Sequence, residues 1–252
     1  GSEMCIRDSY TYDLYTTYEH SVNRHNFKVL AGMNHEAYRY KLIYGAKSSL
    51  QSDYLNDLNL GTGVAEASGG QSRWALLGFF GRGTYDYAGK YLAEVNFRWD
   101  GSSRFPKHDR WGFFPSVALG WRISEENFME PVRKVIDNVK LRASIGSLGN
   151  QAIADSYPYI QSLSPSLSTS YLMNGNKIYI TSLGAPQSGD LTWETIITKN
   201  LGLDLGFFGN RLTATADFYI RDTKDMLIPG KELPGVYGMA CLLYTSPSPR
   251  DA

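Results

Sequence analysis

The 252-residue chain has only two cysteines, Cys5 and Cys241, and both stand in its terminal segments. The body between them therefore offers no disulfide framework and no cysteine-based metal site. The four histidines, His20, His25, His35 and His108, are scattered, and none pair at metal-ligand spacing. Charge of one sign is missing too, since 25 basic residues balance 25 acidic ones. That balance excludes the basic footprint of a nucleic-acid binder and the charge block of a solvated tail. No apolar run approaches the roughly 18 residues that a membrane helix needs. Gly61-Thr62-Gly63 and Gly81-Arg82-Gly83 lack the strand-to-helix setting of a phosphate loop. No nucleophile elbow occurs, and nothing assembles an acid, a base and a nucleophile. The expectation is a protein that is not an enzyme, with no cofactor and no catalytic, cofactor-binding or metal-binding residue to name.

What the chain does have is alternation at period two. Tyr91, Ala93, Val95, Phe97 and Trp99 share one face of an extended segment, and Leu92, Glu94, Asn96, Arg98 and Asp100 share the other. A charged inside with an aromatic-tipped outside is the inverted pattern of a membrane β-barrel. A low mean hydropathy of −0.31 agrees with this, because half of every such strand faces the lumen. The 18 tyrosines suit the membrane–water interfaces.

Eight strands are predicted, at about 10–22, 27–40, 72–86, 90–100, 111–123, 138–148, 192–208 and 211–222. Ser124, followed by Glu125 and Glu126, reads as the N-cap of a short helical connection that Pro131 limits. The stretches 41–71 and 149–190 read as long loops. Short connections near 25, 88 and 209, with a compact one at 124–137, alternate with long ones, as they do in outer-membrane barrels. Trp111 and Trp121 share a face; at ~3.3 Å per residue and ~40° tilt they stand roughly 25 Å apart along the membrane normal. Glu94, Arg98, Arg122, Lys140, Arg142 and Asp204 all fall on the other face. Lys199 is the exception, so either the spanning part of its strand starts after it or a bulge near Ile196-Ile197 resets the register.

The long motifs carry a resemblance. Asp100-Gly101-Ser102-Ser103-Arg104-Phe105 precedes a run from Arg110 to Glu126 containing Trp111-Gly112-Phe113-Phe114-Pro115 and Leu119-Gly120-Trp121-Arg122. Val139 to Ser144 with Gly149-Asn150-Gln151 follows, then Leu191-Thr192-Trp193-Glu194 and Asn200-Leu201-Gly202-Leu203-Asp204. Arg211-Leu212, Asp217-Phe218-Tyr219 and Thr223-Lys224-Asp225 complete the series. In this order they resemble the barrel of the SusC/RagA-type TonB-linked outer-membrane proteins of Bacteroidetes, over nearly all of 10–238. The resemblance implies an all-β fold: an antiparallel transmembrane β-barrel segment of about eight strands, cut from a larger plugged barrel. It also implies import of oligosaccharides or peptides across the outer membrane. TonB would act through a plug region, a SusD-like lipoprotein would cover the extracellular face, and outer-membrane lipid would surround the wall.

No export signal, plug or closing strands are found in the sequence, so a longer parent protein is expected. Residues 1–9 and 239–252 resemble translated sequencing-adapter read-through and are expected to be non-native ends outside the fold. The resemblance fixes no ligand-binding residue. Trp193, Tyr54, Tyr157, Tyr159 and Tyr171 stay open as substrate or lid contacts, and Trp99, Trp111, Trp121 and Phe207 read as interface anchors. Asp100 and Arg104 read as parts of a hydrogen-bonded loop. A passive or adhesive barrel, and a soluble carbohydrate-binding β-sandwich, remain as alternatives. The sandwich requires the Tyr91–Trp99 face to be buried under a second sheet.

Overall fold

A computed structural model of the chain describes residues 2–51, 54, 57–133, 135–151, 157, 159–184, 191–229 and 243–246. The strands are β1 (Ser2–Val22), β2 (His25–Lys47), β3 (Ala65–Tyr87), β4 (Tyr91–Ser102), β5 (Trp111–Arg122) and β6 (Ile136–Asn150). They continue as β7 (Leu163–Met173), β8 (Asn176–Leu183), β9 (Glu194–Phe207), β10 (Leu212–Lys224), β11 (Met226–Pro229) and β12 (Leu243–Ser246). Eight of them form one antiparallel sheet, ordered β1-β2-β3-β4-β5-β6-β9-β10. The hairpins β7–β8 and β11–β12 stand apart from it.

The register sorts the two faces. Tyr18, Val29, Gly83, Val95, Val117, Ile145, Lys199 and Ile220 form one row across all eight strands. The next row, on the opposite face, is Thr17, Leu30, Arg82, Asn96, Ser116, Gly146, Thr198 and Arg221. A slip of one residue at any pair would invert this sorting, so each strand's alternation and its register enforce each other. The apolar face is uncovered: Val95 is 52% exposed, Trp99 47% and Phe218 69%. The sandwich alternative lacks support on this point, because among the described residues no second sheet lies over the Tyr91–Trp99 face.

Aromatic rings edge the apolar face at both ends. Phe79, Trp99 and Trp111 cluster at the long-loop end, with the two indoles 4.8 Å apart. His25, Phe27, Tyr85, Tyr87, Tyr91 and Trp121 line the short-turn end, where His25 Nδ1 and the Tyr85 hydroxyl lie 2.8 Å apart in a hydrogen bond. Lys199 keeps its outward position, because β9 pairs without interruption and the bulge foreseen at 196–197 does not occur. It stands eight residues from Phe207, as Trp99 does from Tyr91. That places it at the upper rim, where a lysine reaches water with its ammonium group.

The strands are longer than expected. β1, β2 and β3 hold 21, 23 and 23 residues. At ~3.3 Å per residue and ~40° tilt they rise about 55 Å, more than twice an apolar band of ~25 Å. Both ends of the stretch 41–71, as far as Lys47 and from Ala65 onward, are therefore strand, since the backbone ladder runs on where the face pattern has stopped marking it. Likewise 149–190 contains the β7–β8 hairpin, turned by Asn174 and Gly175 with φ of 52° and 79°. This Asn-Gly pair is a strong hairpin signal that the sequence reading passed over.

Among its described residues the compact connection forms 3-10 turns, Ile123–Glu125 and Asn127–Val132, and no α-helix. Ser124 is buried inside the first turn and caps nothing. Residues 2–9 continue β1 against 38–45, and Leu243–Ser246 pairs with β11, so parts of both terminal segments lie in strands. Edge pairing uses backbone groups that every extended segment carries, and so it is indifferent to the origin of those residues.

Candidate functional site

The polar face of β3 to β10 is a wall of matched charges. Arg82 Nε donates to Asn96 Oδ1 at 2.7 Å, and Asn96 Nδ2 donates to Glu94 Oε1 at 2.7 Å and to Ser116 Oγ at 3.3 Å. Arg98 grips Asp100 with two bonds of 3.0 and 2.8 Å. Arg142 grips Asp204 at 2.8 and 3.0 Å and reaches over β9 to Asp217 on β10 at 3.2 Å. Gly202 makes that reach possible, because a Cβ there would meet Asp217 Oδ1 at 2.6 Å and the Arg142 guanidinium at 2.9 Å. Arg82, Asn96, Arg98, Asp100, Ser116 and Ser144 are among the residues bordering a trough of about 780 Å³. These groups hold a hydrophilic surface in place. Among the described residues no three or more His, Cys, Asp or Glu side chains come together to hold a metal.

Replacing Arg142 by glutamine is expected to leave Asp204 and Asp217 without the guanidinium that bridges them, with only Lys140, the cross-strand partner of Asp204, as a nearby cation. The denaturant midpoint of the receptor should then fall by an amount equal to about 1–2 kcal/mol, measured by urea unfolding in vesicles.

A small buried cluster closes the long-loop end of this wall. Phe105 and Leu191 are fully buried, and Trp193 and Phe114 are 5% and 7% exposed. Phe114 lies flat over Gly112 and Gly149, where a Cβ would come within 2.4 and 2.0 Å of its ring. The loop 103–110 folds back so that Phe105 packs 5.2 Å from the Trp193 ring. Trp193 Nε1 donates to the Arg110 carbonyl at 2.9 Å, and Ser103 is stitched to Ala75 by two bonds.

Trp193 thus locks the loop and has no ring face to offer a ligand, contrary to its sequence-based candidacy. Tyr159 packs on the same cluster, 6.3 Å from Tyr157, while Tyr54 is almost wholly exposed. The side chain of Tyr171 lies outside the described residues. Asp100 pairs with Arg98 and not with Arg104, whose guanidinium lies 4.9 Å from the Trp74 ring. Tyr38 stacks on the same indole at 5.7 Å.

The two-faced sheet, its aromatic rims and the inward loop agree with the comparisons to known proteins. The sequence model of the family described as TonB dependent receptor-like, beta-barrel, matches residues 5–246. The chain belongs to the TonB-dependent receptor β-barrel family. The TonB-dependent receptor SusC of Bacteroides thetaiotaomicron is 35% identical over 220 residues, which cover 86% of this chain and 21% of SusC. The TonB-dependent receptor P3 of Formosa agariphila is 32% identical over 228 residues, 90% of this chain and 22% of that one. A solved structure of the RagAB peptide transporter superposes with a TM-score of 0.85 at 26% identity, covering 96% of this chain and 26% of its own. The chain thus spans about a fifth of the length of the curated relatives it matches. It is a wall segment of a SusC/RagA-type TonB-dependent receptor barrel.

At the short-turn end of this receptor segment, Glu126 ties the connection to the wall. Its carboxylate accepts from the Tyr91 hydroxyl at 2.7 Å, Lys90 Nζ at 3.0 Å and Trp121 Nε1 at 3.2 Å. These bonds, led by that from Tyr91, hold the Glu126 carboxyl below the usual carboxylate range. A carboxyl whose folded-state pKa is lowered stabilises the fold above its unfolded value and loses that contribution as pH falls through the lowered one. The clamp is therefore expected to be intact at neutral pH and to open only in acid. Limited proteolysis of the 123–135 connection at stepped pH checks this: cleavage should rise in acid in the wild type and be pH-independent in Glu126→Gln.

Proposed function

We propose that the chain is part of the wall of an energised outer-membrane importer of oligosaccharides or peptides. In this reading a SusD-like lipoprotein lids its extracellular face, and TonB drives it through a plug region. The observation that carries this is the sorting of the sheet. An uncovered apolar face between two aromatic rims backs a wall of internally paired charges, with a loop folded inward over its upper end. Such a sheet fits lipid on one side and a hydrophilic passage on the other.

The relatives support the same reading, SusC by its name as a TonB-dependent receptor and RagAB by its description as a peptide transporter. The passive-barrel alternative differs only in needing neither plug nor partner.

Long-read sequencing of the source DNA across both ends of this frame is the first test. A frame that continues into a plug and further strands, beside a gene for a SusD-like lipoprotein, is the expected result. Uptake by the complete receptor should then stop when TonB is deleted. A frame that starts and stops natively at these ends, or uptake that survives without TonB, overturns the reading.

A further inference from the structure

Beyond the upper aromatic rim, the outward face carries charge that is balanced differently from the inner wall. Arg39 on β2 and Arg73 on β3 are direct cross-strand partners, and both are exposed. They share the face of Phe79, further down β3. Lys41 and Gln71 form the next pair on that face and are exposed as well. On the inner wall, Arg82, Arg98 and Arg142 each stand against a carboxylate. Among the described residues Arg39 and Arg73 make no ion pair, even though Asp8 is the partner of Arg39 on β1. Like charges directly opposite each other across two strands repel, so the pair costs stability until an anion joins it. Two guanidinium groups side by side suit phosphate, whose oxygens accept paired hydrogen bonds.

The height of the pair selects the source of that phosphate. Arg73 lies six residues beyond Phe79; at ~3.3 Å per residue and ~40° tilt this is roughly 15 Å above the rim. A phospholipid headgroup layer is only about 5–8 Å deep, so its phosphates lie too low. Directly below the arginines, Phe79 and Trp111 are 38% and 41% exposed on the apolar face, ready for acyl chains.

We propose that Arg39, Arg73 and Lys41 form a site on the barrel's outer surface for the phosphates of a glycolipid whose sugar headgroup extends from the outer leaflet. The site rests on the outer-membrane reading above, with the short turns facing inward.

The test uses the complete receptor, purified and stripped of lipid. Lipopolysaccharide with a phosphorylated core should raise its thermal midpoint. The dephosphorylated form, phosphatidylglycerol and inorganic phosphate at equal concentration should not. The double variant Arg39→Gln/Arg73→Gln should bind the phosphorylated form about tenfold more weakly, yet melt slightly higher than wild type without lipid.

Equal stabilisation by the dephosphorylated form overturns the proposal on the wild type alone, whatever the variant does. So does a full shift with inorganic phosphate or phosphatidylglycerol, or undiminished binding by the double variant. Fractionation and uptake are read in the same cells. A receptor in the outer membrane that imports but shows no phosphate-dependent shift sinks the lipid site and leaves the proposed function standing. A receptor found elsewhere sinks the proposed function, and the site with it.

Discussion

Trp193→Ala is expected to destabilise the receptor by about 3–5 kcal/mol, the cost of emptying a buried tryptophan site. Trp193 is 5% exposed and packs on Phe105 and Phe114, with ring centroids at 5.2 and 5.4 Å. Its removal also strands the Arg110 carbonyl, which accepts from Nε1 at 2.9 Å. Neighbouring side chains cannot fill the gap, because Phe114 already lies in van der Waals contact over Gly112 and Gly149. Trp193→Phe keeps most of the packing and loses the hydrogen bond, so about 1 kcal/mol is expected. Urea unfolding of the receptor in vesicles ranks the three proteins. The loop 103–110 should also become protease-sensitive in Trp193→Ala, since Phe105 loses its main contact. A Trp193→Ala receptor as stable as wild type, but impaired in uptake, would return Trp193 to the role of ligand contact.

The sheet was legible in the sequence where one face is apolar and the other charged. Glu94, Arg98, Arg142 and Asp204 could be assigned to one shared face from alternation alone, and the register places all four on it. Legibility fails where that asymmetry ends. The upper halves of β2 and β3 lose the sorting into an apolar and a charged face, so Ser68-Gly69-Gly70 reads as loop while its backbone pairs with Leu42, Ile43 and Tyr44. The β7–β8 hairpin lies off the main sheet, and only its Asn-Gly turn announces it.

Trp193 illustrates a second limit. An aromatic residue at a strand end suits an interface anchor, a ligand platform or a loop lock equally well. Only the return of the loop 103–110, which brings Phe105 onto the Trp193 ring, decides among them. Glu126 was expected to favour a helix start, but Lys90 from the turn before β4, Tyr91 from β4 and Trp121 from β5 compete for its carboxylate. Long-range partners of this kind leave no mark in local sequence.

Ala143→Arg and Ser144→Arg should separate sharply although the two residues are neighbours on β6. Ala143 pairs with Leu119 and Leu201 on the outward face, midway along the strand. An arginine there must place its guanidinium in hydrocarbon, at about 2–4 kcal/mol at mid-depth. Ser144 pairs with Ala118 and Asn200 on the inner face, and it borders the trough of about 780 Å³. An arginine in that position has room and finds water and carboxylates, so a change of under about 1 kcal/mol is expected. Both substitutions add the same charge and the same volume at the same height, which leaves the facing of the residue as the only variable. Folding yield into lipid vesicles and the urea midpoint measure the difference. Equal costs at the two positions would mean that the apolar face does not meet lipid, and the membrane orientation of the whole sheet would fall with that result.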